Sequence, residues 1–579
     1  MEKLDLMANK LRVLSILSTT KAGSGHPTTC MSCAEIMSTL FFHEIKKEDE
    51  FVLSKGHAAP ILWSCYKEAG IITDKQLMSL RQINSNIEGH PMPPLVKIAT
   101  GSLGQGLSAG VGIALAQNLK KKGRTYVLLG DSECAEGSVW EACNAAAHFK
   151  LKNIVAILDC NRLGQRGETM HGHNTKIYAN KFKAFGWDTL IVDGHNTDEL
   201  LKALKLAKKS KKPFAIIAKT LKGKGFSEVE NKNGWHGKVF SKEQAERALW
   251  EIPYKNIKLK SNYKIKKTKY NHTDFKLNKY KLGEKVATRD AFGKALEKAG
   301  KNKSVVAIDS EVGNSTKLDY FFKKYPKRSF ENYIAEQNMV GMALGFSTQN
   351  YIPVISTFAT FFTRAYDFIR MAMYSQANIK LIGSHAGVSI GADGPSQMGL
   401  EDLSMMLPLP GTIILYPSDA VSTENLLKNM IKHNGLSYMR TTRGKTPVIY
   451  KNSEKFPIGK FKVVKKSNKD IALVIGAGET LHEALKAYDL LKHRKKNIRV
   501  IDLYSIKPVD AEGLRKHAKQ CKNNVIVVED HYECGIGEVV SKAVGRIKHL
   551  YVKGIPKSGT PEQLRRKFNI DAQAIIKEI

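Results

Sequence analysis

Two polar residues each follow an apolar run that is typical of a buried strand. Asp131 follows TYVLLG (125–130), and Asn161 follows NIVAILDC (153–160). They are 30 residues apart, about the length of one β-α-β unit, so both are expected at the carboxyl ends of neighbouring parallel strands, where open α/β sheets bind ligands. A carboxylate and a neutral amide oxygen suit Mg²⁺ or Ca²⁺ with a diphosphate. Strand-end Asp and Asn also cap helices, and the spacing alone leaves both interpretations open.

The elements that would position these residues repeat along the chain. Short β-rich runs alternate with helical patterns, which predicts an α/β fold of three consecutive domains, each with a mainly parallel sheet flanked by helices. The predicted segments are 1–250, a Lys-rich linker at 251–283 without sustained periodicity, 284–446 and 447–579.

Composition narrows the class of protein. The chain has 579 residues, 91 Lys plus Arg against 55 Asp plus Glu, a net charge of +36 and 42% hydrophobic residues. These values exclude collagen, coiled coil and a disordered polyelectrolyte. The charge could indicate a nucleic-acid or membrane-surface partner, but the lysine runs are scattered and no nucleic-acid module is present. We therefore expect no such partner.

The N-terminus and the cysteines indicate the compartment. Leu4, Met7, Leu11 and Leu14 have helical spacing, which predicts an amphipathic surface helix and not a signal peptide. No apolar run reaches the ~20 residues that cross a bilayer. The eight cysteines form no zinc or disulfide pattern. A cytoplasmic protein with reduced, mostly buried thiols is expected.

Ten motifs resemble the thiamine diphosphate-dependent transketolase family, most closely its animal type, from about residue 9 to the C-terminus. They are AGSGHPT (22–28), LSKGHA (53–58), EGHP (88–91), ATGSLGQG (99–106), EGSVWEA (136–142), CNRLGQ (160–165), WHGK (235–238), YIAEQNM (333–339), STFATFFTRAYD (356–367) and GADGPSQM (391–398). The resemblance implies the thiamine diphosphate-binding fold in the first two domains. It assigns diphosphate and metal to the first domain, the pyrimidine to the second and the family's C-terminal domain to the third.

The resemblance also implies a cofactor site. Asp131, Asn161 and the carbonyl of Leu163 match the metal ligands, with Mg²⁺ expected and Ca²⁺ or another divalent cation possible. Glu336 matches the carboxylate that faces N1′ of the aminopyrimidine. Further matches to cofactor-binding positions are Gly101, Ser102, Leu103, Ser132, Asn161, His57, Lys222, His236 and Phe361, the last stacking on the pyrimidine ring.

For chemistry and substrate, the family implies ketol transfer between sugar phosphates of the xylulose 5-phosphate and ribose 5-phosphate class, in the pentose phosphate pathway. The family also implies that a dihydroxyethyl unit remains bound to the cofactor between the two half-reactions. The catalytic matches are Glu336, His26, His57, His90 and His236. The substrate-binding matches are His26, His236, Arg289, Ser315, His385, Asp393, Gln397 and Arg443. The family further implies a homodimer with active sites at the subunit interface.

Three positions depart from the family pattern. Ser132 stands where the family has glycine beside the diphosphate, and its added side chain could weaken cofactor affinity. Glu311 stands where the animal type has Asp, and Ala392 replaces an acid. Neither Glu311 nor Ala392 replaces a residue that the resemblance assigns to catalysis or binding.

Two alternatives remain at this point. A deoxyxylulose-phosphate synthase-like enzyme shares the fold, the cofactor and an IAEQ-like motif, but uses pyruvate as donor. The histidines of GHPT, EGHP and WHGK favour transketolase over it. A catalytically inactive basic paralogue acting as a binding protein is the other, and the presence of Glu336, Asp131 and Asn161 argues against it.

Overall fold

The computed structural model describes residues 2–579, which form two compact units. The first comprises residues up to Thr268 together with Val340–Gln349, and the second comprises Lys269–Met339 and Asn350–Ile579.

The first unit is built around a five-stranded sheet in the order β1-β2-β3-β5-β4, with every pairing parallel. Its strands are β1 Glu50–Leu53, β2 Thr125–Gly130, β3 Ile154–Cys160, β4 Asp188–Asp193 and β5 Phe214–Lys219. Strands β2 and β3 are buried along their whole length. Their nearly continuous apolar sequence follows from this, since helices cover both faces of such a sheet.

Ten helices surround this sheet among the described residues. They are α1 Glu2–Ala22, α2 Pro27–Ser32, α3 Ala34–Thr39, α4 Ala59–Glu68, α5 Asp74–Leu77, α6 Gly106–Lys120, α7 Gly137–His148, α8 Thr175–Ala184, α9 Thr197–Lys209 and α10 Lys242–Glu251. Gly112 of α6 lies directly against residue 342 of the same unit, because a Cβ at Gly112 would meet the Met342 carbonyl oxygen at 2.0 Å. This close approach requires glycine.

Helix α1 differs from the amphipathic surface helix that the sequence predicts. The helix forms, but most of its residues are buried, including Lys10 and Arg12. Lys10 Nζ lies 2.8 Å from Glu68, and the Arg12 guanidinium lies 2.6 Å from Glu35. Because these partners neutralise its buried cations, the helix packs inside the unit and not on its surface.

The second unit contains two larger sheets and one two-stranded pairing. The seven-stranded sheet has the order β17-β11-β12-β10-β9-β7-β8 and is parallel except for the β17 edge, and the five-stranded sheet has the order β14-β16-β15-β18-β19 and is parallel except for β14. The strands are β6 Lys285–Ala287, β7 Val305–Asp309, β8 Ser329–Glu331, β9 Ile352–Phe358, β10 Lys380–Ser384, β11 Ile413–Leu415, β12 Ser437–Arg440, β13 Lys445–Pro447, β14 Lys462–Lys465, β15 Asp470–Gly476, β16 Asn497–Asp502, β17 Ser505–Lys507, β18 Val525–Val528 and β19 Lys548–Leu550. The predicted α/β class with mainly parallel sheets is confirmed.

The remaining helices lie between these strands in the sequence, except for the last two, which follow β19. They are α11 Thr288–Ala299, α12 Gly313–Thr316, α13 Asp319–Lys324, α14 Glu336–Thr348, α15 Tyr366–Tyr374, α16 Asp402–Met406, α17 Ala420–Lys432, α18 Glu479–His493, α19 Ala511–Gln520, α20 Ile536–Val544, α21 Pro561–Lys567 and α22 Ala572–Lys577.

The lysine-rich segment at 251–283 has neither helix nor strand after Glu251, in keeping with its lack of sustained periodicity. Its first half is nevertheless packed: Ile257, Leu259, Tyr263 and Ile265 contact the core of the first unit. The intervening residues 258, 260, 262 and 264 are exposed, as expected where side chains of an extended chain alternate between two directions.

Two further expectations concern the thiols and the membrane. Seven of the eight cysteines are buried and all eight are free, with Cys534 exposed. Along residues 2–579 no helix combines the length and the apolar character that a membrane span needs.

Candidate active site

Asp131 lies just beyond β2, at the carboxyl end of the strand, and is only 5% exposed. Its Oδ2 accepts hydrogen bonds from the Arg162 backbone N–H at 2.7 Å and from Thr169 Oγ1 at 3.2 Å, and its Oδ1 accepts from the Ser132 N–H at 2.8 Å. Burial, helped by the charge of Asp159, raises the pKa of this carboxyl to about 6. A nearby cation would favour the charged form.

Asn161 lies just beyond β3, the parallel neighbour of β2. Its Nδ2 donates to Asp159 Oδ2 at 3.1 Å, and its Oδ1 accepts from the Leu163 N–H at 3.2 Å. The Leu163 carbonyl oxygen accepts from Lys222 Nζ at 2.6 Å, and a carbonyl has a second lone pair for another partner. The loops after the two strands therefore meet, as the 30-residue spacing predicts, since Asp131 bonds the residue that follows Asn161.

The donor set fits a hard divalent cation. One carboxylate, one amide oxygen and one carbonyl are oxygen ligands of the kind that Mg²⁺ and Ca²⁺ prefer. No group of three or more His, Cys, Asp or Glu side chains that could hold a metal occurs within residues 2–579. A site here would combine the single carboxylate of Asp131 with the two neutral oxygens and with phosphate oxygens, as Mg²⁺ commonly does in phosphate-binding enzymes.

The four predicted catalytic histidines form one cluster in the first unit. The ring centre of His26 lies 5.5 Å from that of His57, 6.2 Å from that of His90 and 5.4 Å from that of His236. The rings of His57 and His236 stack at 5.0 Å. Lys222 Nζ lies 2.6 Å from His236 Nδ1, so the same lysine contacts the histidine cluster and the predicted metal-ligating carbonyl.

The histidine cluster is held in the neutral form. Burial and the nearby cations Arg81 and Lys222 lower the pKa of His26 to about 4, and burial with Lys222 lowers the pKa of His236 to about 3. The pKa of His57 is lowered well below its ordinary value, and that of His90 is also lowered, both mainly by burial. Each neutral ring keeps one nitrogen that can accept a hydrogen bond. A bound anion that offsets the nearby cations would raise these pKa values toward the range of a general base.

Gly101, Ser102 and Leu103 lie in the loop before α6. Gly101 has φ +141°, and a Cβ there would lie 3.2 Å from the His90 ring. Glycine is therefore needed for this loop to approach the histidine cluster.

Ser132 begins a short 3₁₀ turn and its side chain is exposed. It is not among the described residues with positive φ. The backbone therefore accepts serine without strain where the family has glycine.

Glu336 begins α14 in the second unit and is 5% exposed. Its Oε2 is buried and has no hydrogen-bond partner, with Arg364 Nε 3.9 Å away. A buried carboxylate oxygen without a donor is costly, so this atom is suited to a hydrogen bond from a bound group.

Three rings form a stack beside the seven-stranded sheet. Phe361 lies parallel to Phe358 with 4.9 Å between ring centres, and Phe358 stacks on His385 at 3.8 Å. Phe361 is half-buried at the end of this stack, and a flat ring could pack against it.

The charges of the two predicted clamp arginines both act on the imidazole of His385. Arg289 Nη1 donates to His385 Nε2 at 3.0 Å and to the Ser315 carbonyl at 3.0 Å. Burial, followed by the charges of Arg289 and Arg443, lowers the pKa of His385 to about 3. Arg443 Nη1 lies 2.7 Å from Asp393, with both side chains more than two-fifths exposed. Such exposed pairs contribute little, so an anionic ligand can compete for Arg443.

Gln397 lies in the 3₁₀ turn Pro395–Gln397, within the GADGPSQM motif at 391–398. It is half-buried, and Asp393 precedes it on the same loop.

Sequence reasoning missed two buried, charged side chains beside the candidate site. Lys55 and Asp159 form a fully buried ion pair beside Asn161. The signal available was the charged residue inside the apolar run VAILDC, because a strand buried on both faces holds a charge only with a partner.

Both units thus present candidate site residues after the carboxyl ends of parallel strands. These are Asp131 and Asn161 in the first unit, and His385 and Arg443 with the apolar ring of Phe361 in the second. This arrangement defines a ligand-binding α/β protein of the enzyme type.

The chain matches three family descriptions: "Transketolase, thiamine diphosphate binding domain" over residues 4–289, "Transketolase, pyrimidine binding domain" over 284–448, and "Transketolase, C-terminal domain" over 459–575. It is 48% identical over 601 aligned residues to transketolase of Homo sapiens, covering 99% of this chain and 96% of that protein, and 46% identical to that of Mus musculus with the same coverage. A transketolase structure from Campylobacter jejuni covers 100% of this chain and 99% of its own at a TM-score of 0.87 and 24% identity, and it supports the fold. The chain belongs to the transketolase family of enzymes, and thiamine diphosphate is the cofactor its N-terminal segment binds.

The lowered histidine pKa values predict a pH dependence of stability. Between the ordinary value of 6.5 and the folded value of about 4 for His26, the unfolded chain binds more protons than the folded protein, so the free energy of unfolding falls as the pH falls. In His26→Gln this contribution is removed. Urea unfolding at pH steps from 6.5 to 4.5 should show a shallower loss of stability in the variant than in the wild type.

The exposed histidine of α7 provides the control, because His148→Gln removes an imidazole from the surface. It should retain the wild-type slope. A His26→Gln slope equal to that of the wild type would show that His26 is not held neutral by the fold.

Proposed function

We propose that this protein transfers a two-carbon ketol unit reversibly from a ketose phosphate to an aldose phosphate, with thiamine diphosphate and a divalent cation. Family membership supports the reaction class. The observation that carries the proposal is the buried, unpartnered Oε2 of Glu336, an acceptor at the position that the family uses against the aminopyrimidine.

The cation would be held by Asp131, Asn161 and the carbonyl of Leu163, whose oxygens suit Mg²⁺. Lys222, buried beside them, would add a positive charge for the diphosphate. The remaining contacts proposed for the cofactor come from His57, His236, Gly101, Ser102, Leu103, Ser132 and Phe361.

Thiamine diphosphate, when bound, supplies a carbanion and an electron sink for the bond that is broken. Glu336 would hold the proton at the pyrimidine N1′, and Phe361 would offer its face to the pyrimidine ring. His26, His57, His90 and His236, all four neutral, would move the proton of the substrate hydroxyl. The negative charge of the bound diphosphate would offset the nearby cations and raise the histidine pKa values toward the range of a general base.

The substrate phosphate would be bound by Arg289 and Arg443, with His385 and Ser315 beside them. Guanidinium groups bind phosphate through paired hydrogen bonds. Asp393 and Gln397 would contact the sugar hydroxyls. The shared influence of both arginines on His385 supports one common anion site.

A homodimer is proposed on the family resemblance, with the pyrimidine-facing residues of one protomer serving the diphosphate of its partner. Tyr333 and Ile334 are exposed, 51% and 75% accessible. They lie three and two residues before Glu336 and support a contact surface there. We further propose that the protein acts in the cytoplasm, within the pentose phosphate pathway.

Glu336→Gln tests the proposed proton-holding role. The amide keeps the shape of the side chain but cannot hold the N1′ proton, so hydrogen–deuterium exchange at thiamine C2 should slow on the order of 100-fold. Cofactor binding, followed by calorimetry, should change little.

Glu297→Gln, a carboxylate of α11 paired with Lys324, is the control and should exchange like the wild type. Unchanged exchange in Glu336→Gln would sink the assignment of this residue.

The anion site predicts a difference between two donors. In Arg289→Ala and Arg443→Ala, the KM for xylulose 5-phosphate should rise by about 10-fold or more, the equivalent of one lost charged hydrogen bond. The KM for hydroxypyruvate, which carries no phosphate, should change much less. Steady-state kinetics at saturating cofactor measure both.

The surface variant Arg494→Ala should leave both constants unchanged. An equal loss with both donors would assign the two arginines to the fold or the cofactor, and the phosphate would have to bind elsewhere.

A further inference from the structure

Asp159 lies at the carboxyl end of β3, fully buried, and receives four donors. Lys55 Nζ forms an ion pair with Oδ2 and Thr220 Oγ1 donates to Oδ1. Ser32 Oγ donates to Oδ2 at 2.7 Å, and Asn161 Nδ2 donates to Oδ2 at 3.1 Å. Every described contact of this carboxylate is therefore with a donor, and its Oδ2 faces Asn161 as an acceptor.

This contact determines the orientation of the Asn161 side-chain amide. A side-chain amide has a donor end and an acceptor end, and Asp159 Oδ2 accepts only from the donor end. The Asn161 oxygen must then face away from Asp159, toward the loop where it accepts from the Leu163 N–H at 3.2 Å. A reversed amide would put two oxygens against each other in a buried place.

We propose that Asp159 is a positioning residue that orients the Asn161 amide so that its oxygen faces the divalent cation. The proposal rests on the metal site of the proposed function. Asp159 does not touch the cation; it acts through Asn161, and Lys55 holds it in place.

A purely structural role for the buried pair makes a different prediction. Removing one partner of a buried ion pair strongly lowers the stability of the fold, whichever neighbour is affected. An orienting role instead acts on metal affinity through Oδ2. Thr220, which bonds the other oxygen of the same carboxylate, separates the two.

The test measures binding of Mn²⁺ in the presence of thiamine diphosphate, by electron paramagnetic resonance of the free ion, with unfolding followed by calorimetry. Four proteins are compared with the wild type: Asp159→Leu, the double variant Lys55→Met with Asp159→Leu, Thr220→Val, and Asp131→Ala. The double variant removes both charges together and leaves no buried charge unpaired.

Asp159→Leu and the double variant, which offer Asn161 no acceptor, should bind Mn²⁺ about 10- to 100-fold more weakly, the usual effect of losing a residue that orients a ligand. Thr220→Val should lose stability but bind Mn²⁺ within about twofold of the wild type. A folded double variant with wild-type Mn²⁺ affinity would overturn the proposal, as would equal weakening in Thr220→Val.

Two outcomes separate this role from the metal site itself. If the wild type binds no Mn²⁺, or Asp131→Ala binds it as the wild type does, the metal site fails and the role of Asp159 fails with it. If Asp131→Ala alone weakens binding, the metal site stands and the orienting role is wrong.

A crystal structure of the wild type with Mn²⁺ and thiamine diphosphate decides the question even if the Asp159 variants do not fold. The Asn161 oxygen should contact the metal while its nitrogen remains within hydrogen-bond distance of Asp159. An Asn161 side chain that contacts the metal without any contact to Asp159 would contradict the proposal.

Discussion

Two buried carboxylates at one edge of the first sheet constrain the site more than any other feature. Asp131 follows β2, and Asp159 lies near the end of β3, its parallel neighbour. The two are close enough for the charge of Asp159 to raise the pKa of Asp131. Lys55 is buried against Asp159, and backbone N–H groups cover Asp131. Of these two carboxylates, only Asp159 therefore has a buried ammonium as its ion-pair partner. A bound divalent cation would neutralise the negative charge of Asp131.

The charges near the imidazoles are positive, in contrast to the two neighbouring carboxylates at the strand ends. His26 and His236 lie near Lys222, and His385 lies near Arg289 and Arg443, so burial and neighbouring cations act together to lower every pKa. These are surroundings in which an anion is stabilised and an imidazole stays neutral. A bound anion would offset the cations and make protonation of the imidazoles easier. A phosphorylated substrate and a diphosphate cofactor both match such a field.

The sequence predicts the part of this arrangement that depends on local pattern. Alternating strands and helices give the sheets, and the 30-residue spacing brings the loops of Asp131 and Asn161 together. The histidine cluster follows from motif resemblance, since no periodicity joins residues so far apart in the chain. The burial of α1 could not be predicted, because it depends on Glu35 and Glu68 neutralising Arg12 and Lys10 from other helices. The role of Asp159 is hidden for the same reason, as its partners come from four separate segments.

The central claim is ketol transfer, and one assay of the wild type tests it most directly. With thiamine diphosphate, Mg²⁺, xylulose 5-phosphate and ribose 5-phosphate, moving two carbons between the five-carbon sugars must yield a three-carbon aldose phosphate and a seven-carbon ketose phosphate. We predict that both products form in equal amounts, as followed by a coupled enzyme assay and by chromatography. The absence of both products, with release of CO₂ from pyruvate in the presence of glyceraldehyde phosphate, would contradict the account and indicate deoxyxylulose-phosphate synthase activity.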